Sequence, residues 1–164
     1  MGKDNTAEIK SLAKDISDIS ADLKYSAAIE LIYSGSLFNK YIEVLLSAYN
    51  ISAPRLQVLL ALAGKCQALK PTELTRLTFR SKQNLSGIIN NLLKNGLASK
   101  QQDPKDRRSY KIAITRKGMG LVKASLPIIA KAAGSVLPDD KKTMNLKADL
   151  KIIRKNLYSA LEKR

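Results

Sequence analysis

Between Ala7 and Tyr49 the chain has no proline, and apolar residues recur at Ile9, Leu12, Ile16, Ile19 and Leu23. Steps of three and four residues place these on one helical stripe, which predicts an N-terminal helix over 6–24. A second set, Ile29, Ile32, Leu37, Phe38, Tyr41, Val44, Leu45 and Ala48, is too broad for one narrow seam. It predicts a helix over 27–49 that is buried on more than one side and locally weakened at Gly35. Ser52 followed by Pro54 marks the next helix start, because a serine oxygen can accept a free N–H and proline in the first turn loses nothing. That helix runs to Gly64 or Lys65.

Pro71 opens a short helix with Leu74 and Leu77 inward. Ser81 is the N-cap of another, whose inward stripe is Leu85, Ile88, Ile89, Leu92 and Leu93 and which stops at Asn95-Gly96. Beyond Gly96 the period becomes alternating. Residues 97–102 and 110–115 read as the strands of a hairpin, joined by the polar tip Asp103-Pro104-Lys105-Asp106-Arg107-Arg108-Ser109. Thr115 caps a long helix to Val136, kinked at Pro127, and Leu137-Pro138-Asp139-Asp140 starts a last one carrying Leu146, Leu150, Ile153, Leu157 and Leu161.

Short helix, turn, helix and two-stranded hairpin is the order of a winged helix-turn-helix. The expected fold class is mainly α with a small β-hairpin wing (α+β), with long N- and C-terminal helices for dimerisation. The expected division is an N-terminal helical extension at 1–26, a helical dimerisation region at 27–51 and 115–164, and a DNA-binding winged helix at 52–114.

Charge narrows the partner. Lys and Arg number 29 against 14 Asp and Glu, a net charge of +15, so polyanions are the natural ligands. Nucleic acid comes first, because each phosphate neutralised releases condensed counterions. An anionic membrane surface comes second, and a merely well-solvated helical surface third.

Other classes are thinned by what is missing. Cys66 is the only cysteine and there is no histidine, so no intrachain disulfide and none of the usual zinc sites can be assembled. Cys66 reads as a small apolar residue or a redox sensor. With no histidine, no Gly-rich loop and no convergent carboxylate pair, neither catalysis, a metal nor a cofactor is expected. Uninterrupted apolar runs such as 58–63 fall far below the ~18–20 residues that span a bilayer, so no transmembrane helix and no membrane partner are expected. The N-terminus lacks an apolar signal core, which points to a cytoplasmic protein.

The helix over 81–95, with Ser81 at its start, turns Lys82, Gln83, Ser86, Gly87, Asn90 and Lys94 away from its buried stripe and keeps Asn84 nearer the stripe's edge. Gln83 and Asn84 can donate and accept at adenine edges, Ser86 can do either, and Lys82 can meet a guanine or a phosphate. Polar residues also occupy the wet face of any helix. Gly87 either permits close backbone approach or means fewer base contacts. Arg107 and Arg108, at the hairpin tip, can enter a narrow A·T-rich minor groove. Thr72, Thr75, Arg76, Arg80, Lys82 and Lys100 are candidate phosphate contacts, which fix register without reading sequence. One such helix reads few base pairs, so a two-fold dimer on half-sites about 34 Å apart is expected.

From Ser52 onward the sequence resembles the MarR family of prokaryotic transcriptional regulators. The resemblance is carried by Lys70-Pro71-Thr72-Glu73-Leu74, by the helix from Ser81 to Gly96-Leu97, by Asp103-Pro104-Lys105-Asp106-Arg107-Arg108-Ser109 and by Thr115-Arg116-Lys117-Gly118. Gly87 departs from the family, which often has a large basic or polar residue there.

The resemblance implies a cytoplasmic, nucleoid-bound homodimer on double-stranded DNA, built from intertwined first and last helices and most often a repressor. It implies Arg108 as the groove residue and Asp106 as the carboxylate that orients it. It also implies a small phenolic or anionic effector in a cleft that Tyr33, Phe38, Tyr41 and Tyr49 can line, although aromatic residues on long helices are also core. The stripe at 9–23 is extra, free to lengthen the dimer interface or to pack on its own protomer. The rival readings are a winged helix kept for protein interaction, with only non-specific DNA affinity, and a basic membrane-surface helix.

Overall fold

A computed structural model describes residues 3–103 and 106–162, with the side chains of 3–5, 7, 107 and 108 excepted. The chain divides into two compact bodies, Met1–Ala53 and Pro54–Arg164.

The first body contains α1 (Lys3–Ser20) and α2 (Leu23–Leu46), followed by a 3-10 turn at Ser47–Tyr49. The break between the helices comes earlier than the apolar spacing predicts. Asp22 is its cause: this carboxylate accepts the Tyr25 N–H at 2.8 Å and caps α2, so Leu23 opens the second helix instead of closing the stripe of the first. Gly35 does not interrupt α2. The expected burial of α2 on several sides is not met within one chain. Ile42 and Leu46 are buried, while Ile32, Leu37 and Val44 are largely exposed. Asn50, in the left-handed region at φ 51°, ends the segment.

The second body comprises most of α3 (Ala53–Lys65), then α4 (Pro71–Thr78), α5 (Lys82–Lys94), β1 (Ala98–Asp103), β2 (Asp106–Ile114), α6 (Arg116–Val136) and α7 (Asp140–Glu162). Its fully buried side chains include Leu56, Leu59 and Leu62 of α3, Leu74 of α4, Leu85 and Leu92 of α5, and Ile112 of β2. Burial of each such side chain is worth about 1.5–3 kcal/mol, which makes this the stable frame of the molecule.

The two strands pair antiparallel, Ala98 opposite Ile114 through Gln102 opposite Tyr110. They reach further than the alternating pattern indicates, because Asp103 and residues 106–109 belong to strands and not to a loop. A register shift follows Gln102, after which Asp103 faces Asp106, and residues 107–109 are taken up in that irregularity. Residues 104 and 105 of the expected tip lie outside the described residues.

α6 spans 21 residues and, by length and composition alone, is long and apolar enough to cross a membrane. Uninterrupted runs did not reveal it because Lys123 and Lys131 break them. A lysine at the centre of a bilayer costs about 2.5–3.5 kcal/mol, and Thr115 and Lys117 tie the start of α6 to the end of α5.

Candidate nucleic-acid interface

The reading helix is fixed at both ends. The Ser81 hydroxyl accepts the Asn84 N–H at 3.2 Å, which satisfies a free amide of the first turn of α5. At the other end Gly96 sits at φ 65° and donates to the Leu93 carbonyl, while Leu97 donates to the Leu92 carbonyl at 2.9 Å. Such a left-handed stop is cheap only for glycine. Leu85, Ile89 and Leu92 bury one face, and Lys82, Gln83, Asn84, Ser86, Gly87 and Asn90 are left exposed on the other. A Cβ on Gly87 would meet nothing within 4 Å, so no internal contact requires the glycine.

The hairpin is tied to the helix-turn-helix by its backbone and by one carboxylate. Leu69, just before α4, exchanges both main-chain hydrogen bonds with Ile112 of β2, at 2.9 and 2.8 Å. Next to this bridge Asp103 is 1% exposed, with Lys70 Nζ 2.9 Å from Oδ2 and Lys111 Nζ 3.6 Å from Oδ1. The Ser109 hydroxyl donates to the same carboxylate at 3.4 Å. The hydrogen bond to Asp103, and then its charge, raise the pKa of Lys70 above the ordinary lysine value of 10.5.

The resemblance implies Asp106 as the carboxylate that orients Arg108. Asp106 is exposed and its backbone carbonyl accepts from Ser109 Oγ at 3.2 Å, whereas the buried carboxylate is Asp103. The side chains of Arg107 and Arg108, and with them the expected contact between Asp106 and Arg108, lie outside the described residues. Their backbones belong to β2, in the stretch where the register slips.

A second tie explains the Thr-x-x-Gly spacing. The Thr115 hydroxyl donates to the Gly96 carbonyl at 2.7 Å and accepts the Gly118 N–H at 3.1 Å, so one oxygen caps α6 and joins it to the end of α5. Any Cβ at Gly118 would collide with the Leu97 carbonyl and with Cγ1 of Ile114. Lys117 adds a hydrogen bond from Nζ to the Asn95 carbonyl at 3.0 Å.

The candidate phosphate contacts divide. Thr72, Arg76 and Lys82 are exposed. Thr75 Oγ1 donates to the Pro71 carbonyl at 3.0 Å, and Lys100 Nζ lies 3.9 Å above the Tyr110 ring. Arg80 donates from Nη2 to Gln57 Oε1 at 2.9 Å, while its Nε is buried without a hydrogen-bond partner among the described residues. Phe79, at φ 55°, packs against Tyr158 with ring centroids 5.1 Å apart and the rings tilted by 51°, so α7 touches the turn between α4 and α5.

Tyr33, Phe38, Tyr41 and Tyr49 all belong to the first body, on α2 and the 3-10 turn, and none is buried. Two open cavities of about 530 and 360 Å³ lie in the second body, flanking Lys65 and Leu77, and neither is lined by those four residues.

Residues 49–109 match the MarR family. No curated protein is significantly similar to the chain. Among solved structures it resembles AbsC, a MarR family transcriptional regulator from Streptomyces coelicolor, at a TM-score of 0.75 and 19% identity over 85% of this chain and 97% of that one. It also resembles CouR from Rhodococcus jostii bound to p-coumaroyl-CoA, at 0.70 and 19% over 82% and 93%. A third is a mutant of S. aureus MepR bound to an oligodeoxyribonucleotide, at 0.54 and 20% over 83% and 99%. The chain thus has the winged helix-turn-helix fold of solved MarR-family regulators, and it is residues 49–109 that match that family.

Proposed function

We propose that this protein is a sequence-specific regulator of transcription that binds double-stranded DNA as a homodimer on a pseudo-palindromic operator. The observation that carries this reading is the exposed polar opening of α5, Ser81 to Asn90, held by a cap, a glycine stop and a buried stripe beside a braced hairpin. α5 enters the major groove, where Gln83, Asn84 and Ser86 meet base edges. Arg107 and Arg108 follow the minor groove, and Thr72, Thr75, Arg76, Arg80, Lys82 and Lys100 hold phosphates. The net charge of +15 supports a polyanion partner, and the oligodeoxyribonucleotide bound to the MepR mutant supports DNA as that polyanion.

Two copies are needed to bury the apolar residues that α2, α6 and α7 leave exposed, among them Leu37, Val44, Leu126 and Ile152. Sedimentation equilibrium at micromolar concentration is expected to give twice the 18.0 kDa of one chain. The protein acts in the cytoplasm as a repressor, without catalysis or cofactor. A small effector in a cleft lined by Tyr33, Phe38, Tyr41 and Tyr49 releases it, a reading supported by the p-coumaroyl-CoA bound to CouR. Selection of bound duplexes from a random pool tests the function. A two-fold site with half-sites about 34 Å apart is expected. A pool that stays random would favour a protein-interaction module instead.

A further inference from the structure

Two helices carry apolar stripes that their own chain only partly covers. On α1 these are Ile9, Leu12, Ile16 and Ile19, each at least 50% exposed, and on α7 they are Leu146, Leu150, Ile153 and Leu157, each at least 39% exposed. Both follow the alternating three- and four-residue spacing of a coiled-coil seam.

The flanks of these seams differ in sign. With Ile9 and Ile16 at a and Leu12 and Ile19 at d, the g positions of α1 are Glu8 and Asp15, while the e positions are Ala13 and Ser20. With Leu150 and Leu157 at a and Leu146 and Ile153 at d, the e positions of α7 are Lys147 and Arg154. Residues at g of one helix pair with e of the next heptad on a parallel partner, and these pairs select partner and orientation.

We propose that α1 of one copy docks in parallel on α7 of a second copy. In one register, Leu12 meets Leu146, Ile16 meets Leu150 and Ile19 meets Ile153 as successive layers. The same register sets Glu8 against Lys147 and Asp15 against Arg154, because both charge pairs share a seven-residue spacing. Antiparallel packing would instead set the g positions of α1 alongside those of α7, Lys142, Asp149 and Asn156, where Lys142 is the one cation among the described residues and no second cation follows at the seven-residue spacing of Glu8 and Asp15. Pairing of α1 with another α1 would set the carboxylates against Ala13 and Ser20. The helix thus extends the dimer by a contact that passes between copies, and the inference rests on the two-copy reading above.

Disulfide trapping between differently tagged copies tests it, with Cys66→Ser in every chain. One copy carries Leu12→Cys and the other Leu146→Cys, and the mixed sample is oxidised mildly. A heterodimer band is expected, lost on adding Glu8→Lys with Asp15→Lys and recovered when the second copy also carries Lys147→Glu with Arg154→Glu. A chain carrying both Leu12→Cys and Leu146→Cys distinguishes the sources, since a cross-link confined to that single chain at high dilution would mean α1 packs on its own α7. That result would overturn the proposal, as would a dimer by sedimentation with no band in the mixed sample. A monomer by sedimentation would instead overturn the two-copy reading itself.

Discussion

The ammonium of Lys70 lies 2.9 Å from Oδ2 of Asp103, and that carboxylate is 1% exposed at the end of β1. The pair joins the start of α4 to the hairpin, alongside the main-chain bridge between Leu69 and Ile112. A buried carboxylate is retained only where its charge and lone pairs are met, and here Lys70, Lys111 and Ser109 meet them.

Loss of that carboxylate should loosen the hairpin. Asp103→Ala removes the shared acceptor, and both lysines, being part-exposed, can turn to water. The expected loss is therefore moderate, about 1–3 kcal/mol of unfolding free energy by urea titration. The amides of β2 should exchange faster in the variant, since the tie lost is local.

The same pair gives an alkaline dependence. Because the pKa of Lys70 is raised in the folded state, its contribution is fully present below the ordinary value of 10.5 and is lost as the pH climbs through the raised value. The difference in urea midpoint between the parent protein and Lys70→Met should be constant from pH 7 to 9 and shrink as the pH rises beyond the ordinary lysine value of 10.5. A difference that grew with pH would contradict the pairing.

Two glycines on α6 should respond in opposite directions. Gly118→Ala puts a methyl group into the Leu97 carbonyl, a backbone atom that cannot move aside, and should cost about 1–3 kcal/mol. Gly120→Ala, with nothing within 4 Å, should stabilise by about 0.5–1 kcal/mol through helix propensity. Thermal or urea unfolding of the two variants measures both.

The order of elements was legible in the sequence because each boundary is written in local chemistry. Ser81, Gly96 and Thr115 cap or stop helices by hydrogen bonds within a few residues, and all three act as their residue types indicate. Asp22 was missed because the stripe at Ile9–Leu23 continues across it, so the apolar period outvoted a single cap. Asp103 was missed for a different reason. Its burial depends on Lys70, far away in the chain, and no pattern within one element signals a carboxylate turned inward. The signal nearest to hand was Asp103-Pro104 itself, read as a turn and placed in a solvated tip. The outward face of α5 was legible as a face, but which of its residues touch DNA is set by a partner that no intrachain spacing encodes.

Gly87 separates stability from recognition. With open space around it on the exposed face of α5, Gly87→Ala should stabilise the free protein by about 0.5–1 kcal/mol. On the selected duplex the same variant should bind several-fold more weakly, because the proposed docking of α5 sets the added methyl group against the groove. Unfolding and binding titrations on one preparation compare the two effects.

The most direct measurement is a titration of Gln83→Ala against the parent protein on the selected duplex and on a random duplex, at one salt concentration. Gln83 is exposed near the start of α5 and can hold a base edge by paired hydrogen bonds. Its loss is expected to cost about 1–3 kcal/mol on the selected duplex and little on the random one. Equal losses on both duplexes, or a parent protein that binds both alike, would contradict α5 as the element that reads DNA.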